Sequence, residues 1–112
     1  MEHTRFNAYH IMWLFVFFDL PTNLKKERKA ASRFRKELLQ DGFTMMQFSV
    51  YIRHCASKES AIMHTKRIQS VIPEKGQVSI LAVTDKQYSQ IMNYWGKAEK
   101  MMPAGPKQLE LF

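Results

Sequence analysis

The sequence predicts an α+β fold: a ferredoxin-like βαββαβ sandwich in which an antiparallel sheet carries two helices on one face. Three observations support this prediction. An unbroken apolar run at residues 11–18 has the length and the Phe, Val and Ile content of a strand. Two segments with helical periodicity follow, at about 24–40 and 57–72. Apolar segments of strand length come after each helix, at 43–53 and 77–84.

The first predicted strand is apolar at both alternating positions, so both of its faces are covered and it lies in the middle of the sheet. Asp19 stands at its carboxyl end. Pro21 prevents the strand from continuing, because proline lacks the amide hydrogen that a ladder bond needs. The two helices cover one sheet face only. A second copy of the chain, packed sheet to sheet as a homodimer, is the simplest cover for the other face.

The first helix is predicted to run from about Leu24 to Gln40, with Thr22 or Asn23 as its cap and Gly42 as a left-handed stop. Its basic residues are Lys25, Lys26, Arg28, Lys29, Arg33, Arg35 and Lys36. Seven basic and two acidic residues give this segment +5 of the chain's net +7. Charge of this density predicts contact with nucleic-acid phosphates, which gives affinity without sequence information. A solvated helix face is the alternative.

The segment at 43–53 is predicted to be a tight hairpin that turns near 47–49. A single bent strand is the alternative, because no Asn-Gly or Asp-Gly pair marks a turn. Ser57 opens the second helix and Pro73 ends it. The predicted inward face of this helix consists of Ala61, Ile62, Thr65, Ile68 and Ile72.

After the last strand, Asp85 is predicted to cap a short extra helix that extends to Trp95 and is closed by Gly96. The ferredoxin-like domain is therefore predicted to occupy residues 1–96. Residues 97–112 are predicted to form a linker and a small C-terminal strand.

The composition restricts the number of domains, the type of partner and the cellular compartment that are expected for this chain. The chain has 112 residues, 46% of them hydrophobic, which suits one compact domain. A net charge of +7 indicates a polyanionic partner, most simply nucleic acid. The single cysteine excludes an internal disulfide and fits a reducing compartment, and the apolar run at 11–18 is too short to span a bilayer. These features predict a cytoplasmic protein without a membrane partner.

Three segments, together with the basic helix, carry a family resemblance. They are FFDLPT at residues 17–22, GFTMMQFSVY at 42–51 and KGQVSILAVTDKQY at 75–88. In combination they are similar to the small CRISPR-associated Cas2 family, most closely to members from type II CRISPR systems. The resemblance covers about residues 9–96.

The resemblance implies a homodimer of ferredoxin-like subunits in which residues 109–112 form a strand that crosses to the partner. It further implies a complex with the Cas1 integrase, which captures short foreign DNA duplexes and inserts them into the CRISPR array. Family members are described as magnesium-dependent endoribonucleases or DNases, although their contribution to integration is structural. Double-stranded DNA, with single-stranded RNA as an alternative, is therefore the expected partner.

The family's metal-binding aspartate maps onto Asp19, so the resemblance implies that Asp19 is the catalytic residue and the Mg²⁺ ligand. One carboxylate makes a poor magnesium site, because Mg²⁺ prefers octahedral oxygen coordination. A two-fold axis that brings two Asp19 residues together would improve it, and a turn-forming aspartate is the alternative interpretation. As a general base, Asp41 and Asp85 are poorly placed because they follow other elements. Ser49 is a further candidate near Asp19, with a role in a strand or in the dimer interface as the equal alternative.

The remaining reactive residue types carry no recognised motif. His54, Cys55 and His64 lack a zinc-ligand spacing, and Cys55 has no neighbouring motif that would make it a nucleophile. Three functions follow, in order of preference. The first is a DNA-binding scaffold of the spacer-acquisition complex, with weak Mg²⁺-dependent nuclease activity. The second is a stand-alone, toxin-like ribonuclease. The third is a sheet-face RNA-binding module, ranked last because no aromatic RNP motif is present.

Overall fold

A computed structural model describes residues 11–100, which form a four-stranded antiparallel sheet, its helices and a small hairpin. The elements are β1 (Met12–Asp19), α1 (Lys25–Gln40), β2 (Thr44–Gln47), β3 (Val50–Cys55), α2 (Lys58–Gln69), β4 (Gln77–Thr84), α3 (Asp85–Tyr88), β5 (Asn93–Trp95) and β6 (Ala98–Lys100). The strand order β2-β3-β1-β4 is that of the ferredoxin-like fold, so the predicted fold class is confirmed. The lead-in before residue 11 and the strand predicted near the C-terminus lie outside the described residues.

β1 is a central strand, as predicted, because it pairs with β3 on one side and β4 on the other. Its side chains alternate between two apolar clusters. Leu14 and Val16 face α1 and α2 and are completely buried. Trp13 and Phe15 point to the opposite face, where they pack with Tyr88 from α3. The apolar character of β1 at both alternating positions therefore reflects burial on both sheet faces.

Among the described residues, the second sheet face is covered at one end by α3. There the Trp13 ring stacks on Tyr88, with centroids 3.7 Å apart and planes 6° from parallel. The indole Nε1 of Trp13 also donates to Asp85 Oδ1 at 2.7 Å. At the other end, Phe17 is 39% exposed and Leu81 is 49% exposed. Residues 11–100 thus leave this face exposed toward the carboxyl end of β1, and this exposed part is the surface that a second copy could cover.

The N-terminus of α1 is closed by its own acidic residue. Glu27 Oε1 accepts from the backbone amides of Asn23 and Leu24, at 3.0 and 2.9 Å. The N-cap position is Leu24, which has no side-chain acceptor, so the prediction that Thr22 or Asn23 caps the helix is wrong. Glu27 thereby satisfies the amides at the N-cap and just before it, and its negative charge is favourably placed in the first turn of the helix.

The segment after α1 forms a hairpin, not a single bent strand. Gly42 ends the helix with φ +89°, as predicted for a left-handed stop. β2 and β3 then pair antiparallel and turn through Phe48 and Ser49. The pairing is irregular between Met45 and Gln47, and this bulge replaces the Asn-Gly or Asp-Gly turn that the sequence lacks.

The inward face of α2 was predicted only in part. Ser57 caps the helix, its hydroxyl accepting from the Ser60 amide at 3.0 Å. Ala61 and Ile68 are buried as expected, but Ile62 is 56% exposed. His64, which lies between Ala61 and Ile68 in the sequence, is buried instead and is only 4% exposed.

α3 is shorter than predicted. Its N-cap is Thr84, whose hydroxyl accepts from the Gln87 amide at 3.2 Å, so Asp85 is not the cap. The helix ends at Tyr88, and the prediction that it extends to Trp95 is wrong, because β5 and β6 form a hairpin there. Tyr88 is anchored on the sheet whereas Trp95 is 68% exposed. The apolar residues in this segment therefore do not share one buried helix face.

No helix in the part of the chain described is long and apolar enough to cross a bilayer. The division of the chain at residue 96 remains a prediction.

Candidate functional site

Asp19 lies at the open end of the second sheet face. It is the last residue of β1 and alternates with Phe17, so both side chains belong to that face. The corner behind it is tight: a Cβ added to Gly76 would lie 2.9 Å from the carbonyl oxygen of Asp19 and 2.7 Å from Leu20. Gly76 also has φ +103°, so both space and conformation require glycine. The Asp19 backbone therefore lies in a closely packed corner and pairs with β4, while its side chain is exposed.

The Asp19 carboxylate is free within residues 11–100, where its side chain forms no hydrogen bond or ion pair. The same range contains no group of three or more His, Cys, Asp or Glu side chains that could hold a metal. Within the described residues, Asp19 therefore offers a cation a single carboxylate, and this alone does not fit the octahedral coordination that Mg²⁺ prefers.

Asp41, one of the two acids considered as a general base, is fully engaged in the structure. It follows the last residue of α1, and its Oδ2 lies 2.7 Å from His64 Nδ1 on α2. Its Oδ1 accepts from Arg67 Nη1 at 2.9 Å, and its backbone carbonyl accepts from Arg53 Nε at 2.7 Å. With all three oxygens in use, Asp41 joins α1, α2 and β3 and is not available for catalysis.

The other acid and the cysteine also have structural roles. Asp85 accepts from the Trp13 indole, as described above. Cys55 is completely buried, and this burial raises the pKa of its thiol above the ordinary value despite the opposing charge of Arg53. A buried thiol of raised pKa is a poor nucleophile, which agrees with the exclusion of Cys55 on sequence grounds. Ser49 lies beside the end of β1, since its carbonyl accepts from the Phe18 amide at 3.1 Å.

The basic residues of α1 fall into two groups. The basic stripe consists of Lys25, Lys26, Lys29, Arg33 and Lys36, which are all exposed. None of the five forms an ion pair with an acidic residue of the described range. Three of them line a groove between α1 and residues 70–73. The stripe is therefore a concentration of positive charge that the fold does not neutralise.

The other two basic residues, Arg28 and Arg35, make contacts within the protein. Arg28 Nη1 donates to the carbonyl of Thr22 at 3.0 Å and to that of Asn23 at 2.9 Å, which ties the loop after β1 to α1. The Arg35 guanidinium lies over the rings of Phe18 and Phe48, 5.5 and 5.0 Å from their centroids. Sequence analysis placed both arginines among the phosphate contacts, and it missed Phe48, which nothing in the local pattern marks as exposed.

Comparison with known proteins identifies relatives over most of the chain. The family model described as "CRISPR associated protein Cas2" matches residues 12–91. A protein of Flavobacterium psychrophilum named "CRISPR-associated endoribonuclease Cas2" is 52% identical over 111 residues, which are 99% of this chain and 96% of that protein. A protein of the same name from Parvibaculum lavamentivorans is 54% identical over 101 residues, or 90% of this chain and 100% of that protein.

A solved structure supports the fold. The structure titled "Crystal structure of cas2" superimposes with a TM-score of 0.52 and covers 82% of this chain and 98% of its own. The two sequences are 19% identical over the match, so this likeness concerns the arrangement of the elements alone.

Proposed function

The chain belongs to the CRISPR associated protein Cas2 family, and from this premise we propose that it is a dimeric DNA-binding scaffold of a spacer-acquisition complex. The observation that carries the proposal is the basic stripe of α1, five exposed and unneutralised cations on one helix. Lysine and arginine side chains in this state bind phosphates and release counterions from duplex DNA. The contacts are sequence-independent, as a scaffold for arbitrary foreign DNA requires.

The nuclease part of the proposal rests on Asp19 and on the name of the relatives, endoribonuclease. Bound magnesium would supply Lewis-acid polarisation of a phosphate oxygen. This chain supplies the exposed Asp19 carboxylate, while Asp41 and Asp85, the two acids considered as a general base, are bonded to other groups. So few catalytic groups are consistent with slow, metal-dependent cleavage, subordinate to the structural role.

The dimer in the proposal is formed through the open end of the second sheet face. Phe17 and Leu81 are both large, apolar and partly exposed there, and Asp19 belongs to the same face. A two-fold axis through this patch would bury the apolar side chains and bring two Asp19 carboxylates toward each other. The magnesium site in this proposal is accordingly shared between the two subunits.

The remaining contacts of the proposed complex involve the partner integrase and the C-terminus. β4 is an edge strand of the described sheet, with a free ladder side that an added strand could pair with. We assign that side to residues 109–112 of the partner subunit, which lie outside the described residues. The Cas1 integrase supplies the DNA-joining chemistry, for which the described part of this chain has no constellation.

Duplex binding by matched charge-reversal variants tests the proposal. Lys25→Glu with Lys29→Glu alters the stripe, and Lys58→Glu with Lys66→Glu makes the same charge change on exposed positions of α2. We expect the first pair to weaken duplex binding for all sequences alike and to flatten its salt dependence, by about one unit of slope per lost phosphate contact. If both pairs weaken binding equally, total charge rather than the stripe is responsible and the proposal fails.

Oligomeric state gives a second test. Light scattering of the full chain should return about twice the 13.3 kDa chain mass, because the Phe17 and Leu81 patch is covered in the dimer. Phe17→Glu, which places a charge in the patch, should shift the mass to that of a monomer. A wild-type monomer at micromolar concentration would remove the dimer and the shared Asp19 site together.

A stand-alone ribonuclease is the alternative function that the relatives' names favour. If this alternative is correct, the chain cleaves single-stranded RNA efficiently without a partner protein, and the basic stripe is not needed for activity. The sheet-face RNA-binding alternative has less support, because Trp13 and Phe15 on that face are covered by Tyr88.

A further inference from the structure

The turn between β2 and β3 exposes an aromatic ring next to the basic helix. Phe48 is 74% exposed, more than any other large hydrophobic residue in the described range. It stands in a two-residue turn, where a polar residue or glycine is the usual choice. The turn is fixed in place, because Ser49 accepts from the Phe18 amide. An apolar ring held in this way on the surface has no packing role that explains it.

A partly buried arginine contacts this ring on one side. The Arg35 guanidinium lies 5.0 Å from the Phe48 centroid and 5.5 Å from that of Phe18, within the range of cation–π attraction. Arg35 Nε is buried and has no hydrogen-bond partner among the described residues. The two rings therefore hold this guanidinium in place, and a fixed guanidinium in turn limits the movement of Phe48. One side of Phe48 is occupied, and most of its surface faces solvent.

Phe48 is on the helix side of the sheet and not on the face that the proposed dimer covers. Phe18, which contacts the same guanidinium, belongs to the cluster that packs against α1. Phe17 and Asp19 alternate with Phe18 and so belong to the opposite face. Dimerisation through Phe17 would leave Phe48 accessible.

The positive charge around the Phe48 ring indicates which class of ligand binds there. Arg35 lies beside the ring and belongs to the same helix as the basic stripe, whose five cations form no ion pair within the described range, so the electrostatic field around Phe48 is positive. A ligand that combines negative charge with flat aromatic groups is a nucleic acid, and only an unpaired base can lay its face on an aromatic side chain. Stacking on an exposed ring beside a basic surface is how proteins hold single strands without reading their sequence.

We propose that Phe48, supported by Arg35, is a stacking platform for an unpaired nucleobase of a single-stranded segment whose phosphates lie along α1. The site deepens the proposed function, on which it rests for the basic stripe, by adding a subsite for a frayed or single-stranded end beside the duplex. The shared chemistry is an unpaired base, which single-stranded DNA and RNA both supply. A platform of this kind tolerates any base, because each has a π face.

Binding of a short oligothymidylate that carries one 2-aminopurine tests the proposal, in a deoxyribose and a ribose version, with a blunt duplex as the reference ligand. The full-length variants are Phe48→Ala, Phe48→Trp and Tyr94→Ala, the last removing another exposed aromatic that lies on β5. We expect Phe48→Ala to weaken binding of the single strand about tenfold and to relieve quenching of the 2-aminopurine. Phe48→Trp should retain both, Tyr94→Ala should change neither, and the affinity for blunt duplex should stay as in the wild type.

The outcomes separate this site from the basic stripe. Unchanged single-strand binding by Phe48→Ala overturns the platform, and so does an equal loss by Tyr94→Ala. A drop of Phe48→Ala to monomer mass, or an equal loss of duplex binding, would show that Phe48 supports the assembly instead. Loss of duplex binding by the stripe variant, with Phe48→Ala unaffected for both ligands, leaves the proposed function standing and removes only the platform. The two oligonucleotide versions show which sugar the site accepts.

Discussion

Two aspartates stand at the ends of secondary-structure elements in this protein, and their surroundings are opposite. Asp41, after α1, has a nearly buried side chain, 12% exposed, and both of its carboxylate oxygens are bonded, to His64 and to Arg67. Asp19, at the end of β1, is exposed, and within residues 11–100 its carboxylate contacts no donor. Asp19 is the last residue of a strand and Asp41 directly follows a helix. Such positions at the ends of elements are typical of turn-forming residues.

The difference shows how the tertiary structure assigns roles to identical residue types. A carboxylate whose two oxygens are already hydrogen-bonded contributes to stability and is not available for catalysis. A carboxylate that is held by a rigid backbone but left without partners contributes little to stability and can accept a cation. The four predictions below test this contrast, beginning with the largest expected effect.

The first prediction is that Asp19→Asn abolishes nuclease activity, lowering it by about a hundredfold or more, since the amide removes the charge that would attract a metal ion. The free energy of unfolding should change by less than about 0.5 kcal/mol because the side chain has no partner in the described range. Dimerisation, DNA binding and spacer integration should persist. Paired cleavage and binding assays on one preparation measure this.

Full cleavage by this variant would mean a different active site or a contaminating nuclease. Loss of integration by a folded dimer would mean that Asp19 chemistry matters to the complex, which contradicts a purely structural role there.

The second prediction concerns Asp41→Ala, which leaves the buried His64 without its acceptor and removes the partner of Arg67. We expect a loss of about 2–3 kcal/mol in the free energy of unfolding, from denaturant titration. Asp41→Asn, which keeps an acceptor of the same shape, should lose less. Nuclease activity measured well below the unfolding midpoint should be unchanged in both, so a selective loss of cleavage in Asp41→Asn would reverse the contrast with Asp19.

The third prediction extends the contrast to Asp85 and the covered end of the second sheet face. Burial, and then the charge of Asp85, raise the pKa of Tyr88 to about 12. Because the neutral phenol is the form that the fold favours, its contribution is complete below pH 10 and is lost as the pH rises from about 10 to about 12. The protein should lose on the order of 2 kcal/mol across this window through Tyr88.

Denaturant midpoints at the two ends of the window measure this loss, and Tyr88→Phe is the control. The phenylalanine variant should show a shallower alkaline decline, since it has no proton to lose. Parallel declines in both proteins would assign the alkaline transition to other groups.

The fourth prediction gives a reference value for the loss of stability expected in the second. Ser57→Ala removes the hydroxyl that caps α2 and should cost about 1 kcal/mol by thermal or denaturant unfolding. Asp41→Ala acts on the same helix through a buried partner, so its cost should exceed that of Ser57→Ala. If the cap variant were the more destabilising, the Asp41 cluster would contribute less than its geometry indicates.

Much of the basic surface and the position of Asp19 at the end of β1 could be predicted without the structure. The basic residues of α1 follow one another at spacings of three and four, so a regular helix places most of them together. The sequence could not separate Arg28 and Arg35 from the stripe, because their partners are the loop carbonyl of Thr22 and the ring of Phe48. Those contacts depend on how the loop and the turn approach α1, and no local pattern encodes that approach.

The sequence by itself determined the order of the elements from β1 to β4, the central position of β1, the stop at Gly42 and the cap at Ser57. Each follows from local chemistry: hydrophobic period, backbone freedom and hydrogen-bonding capacity near the residue concerned. Only the tertiary structure decided that His64 is buried while Ile62 is exposed. The imidazole of His64 can lie in the interior because Asp41, which is distant in sequence, provides a hydrogen-bond acceptor for it. The tertiary structure likewise decided that Asp41 and Asp85 are occupied while Asp19 is free. A carboxylate's role depends on which donors the fold brings within about 3 Å, and that is a property of packing between elements and not of any one segment.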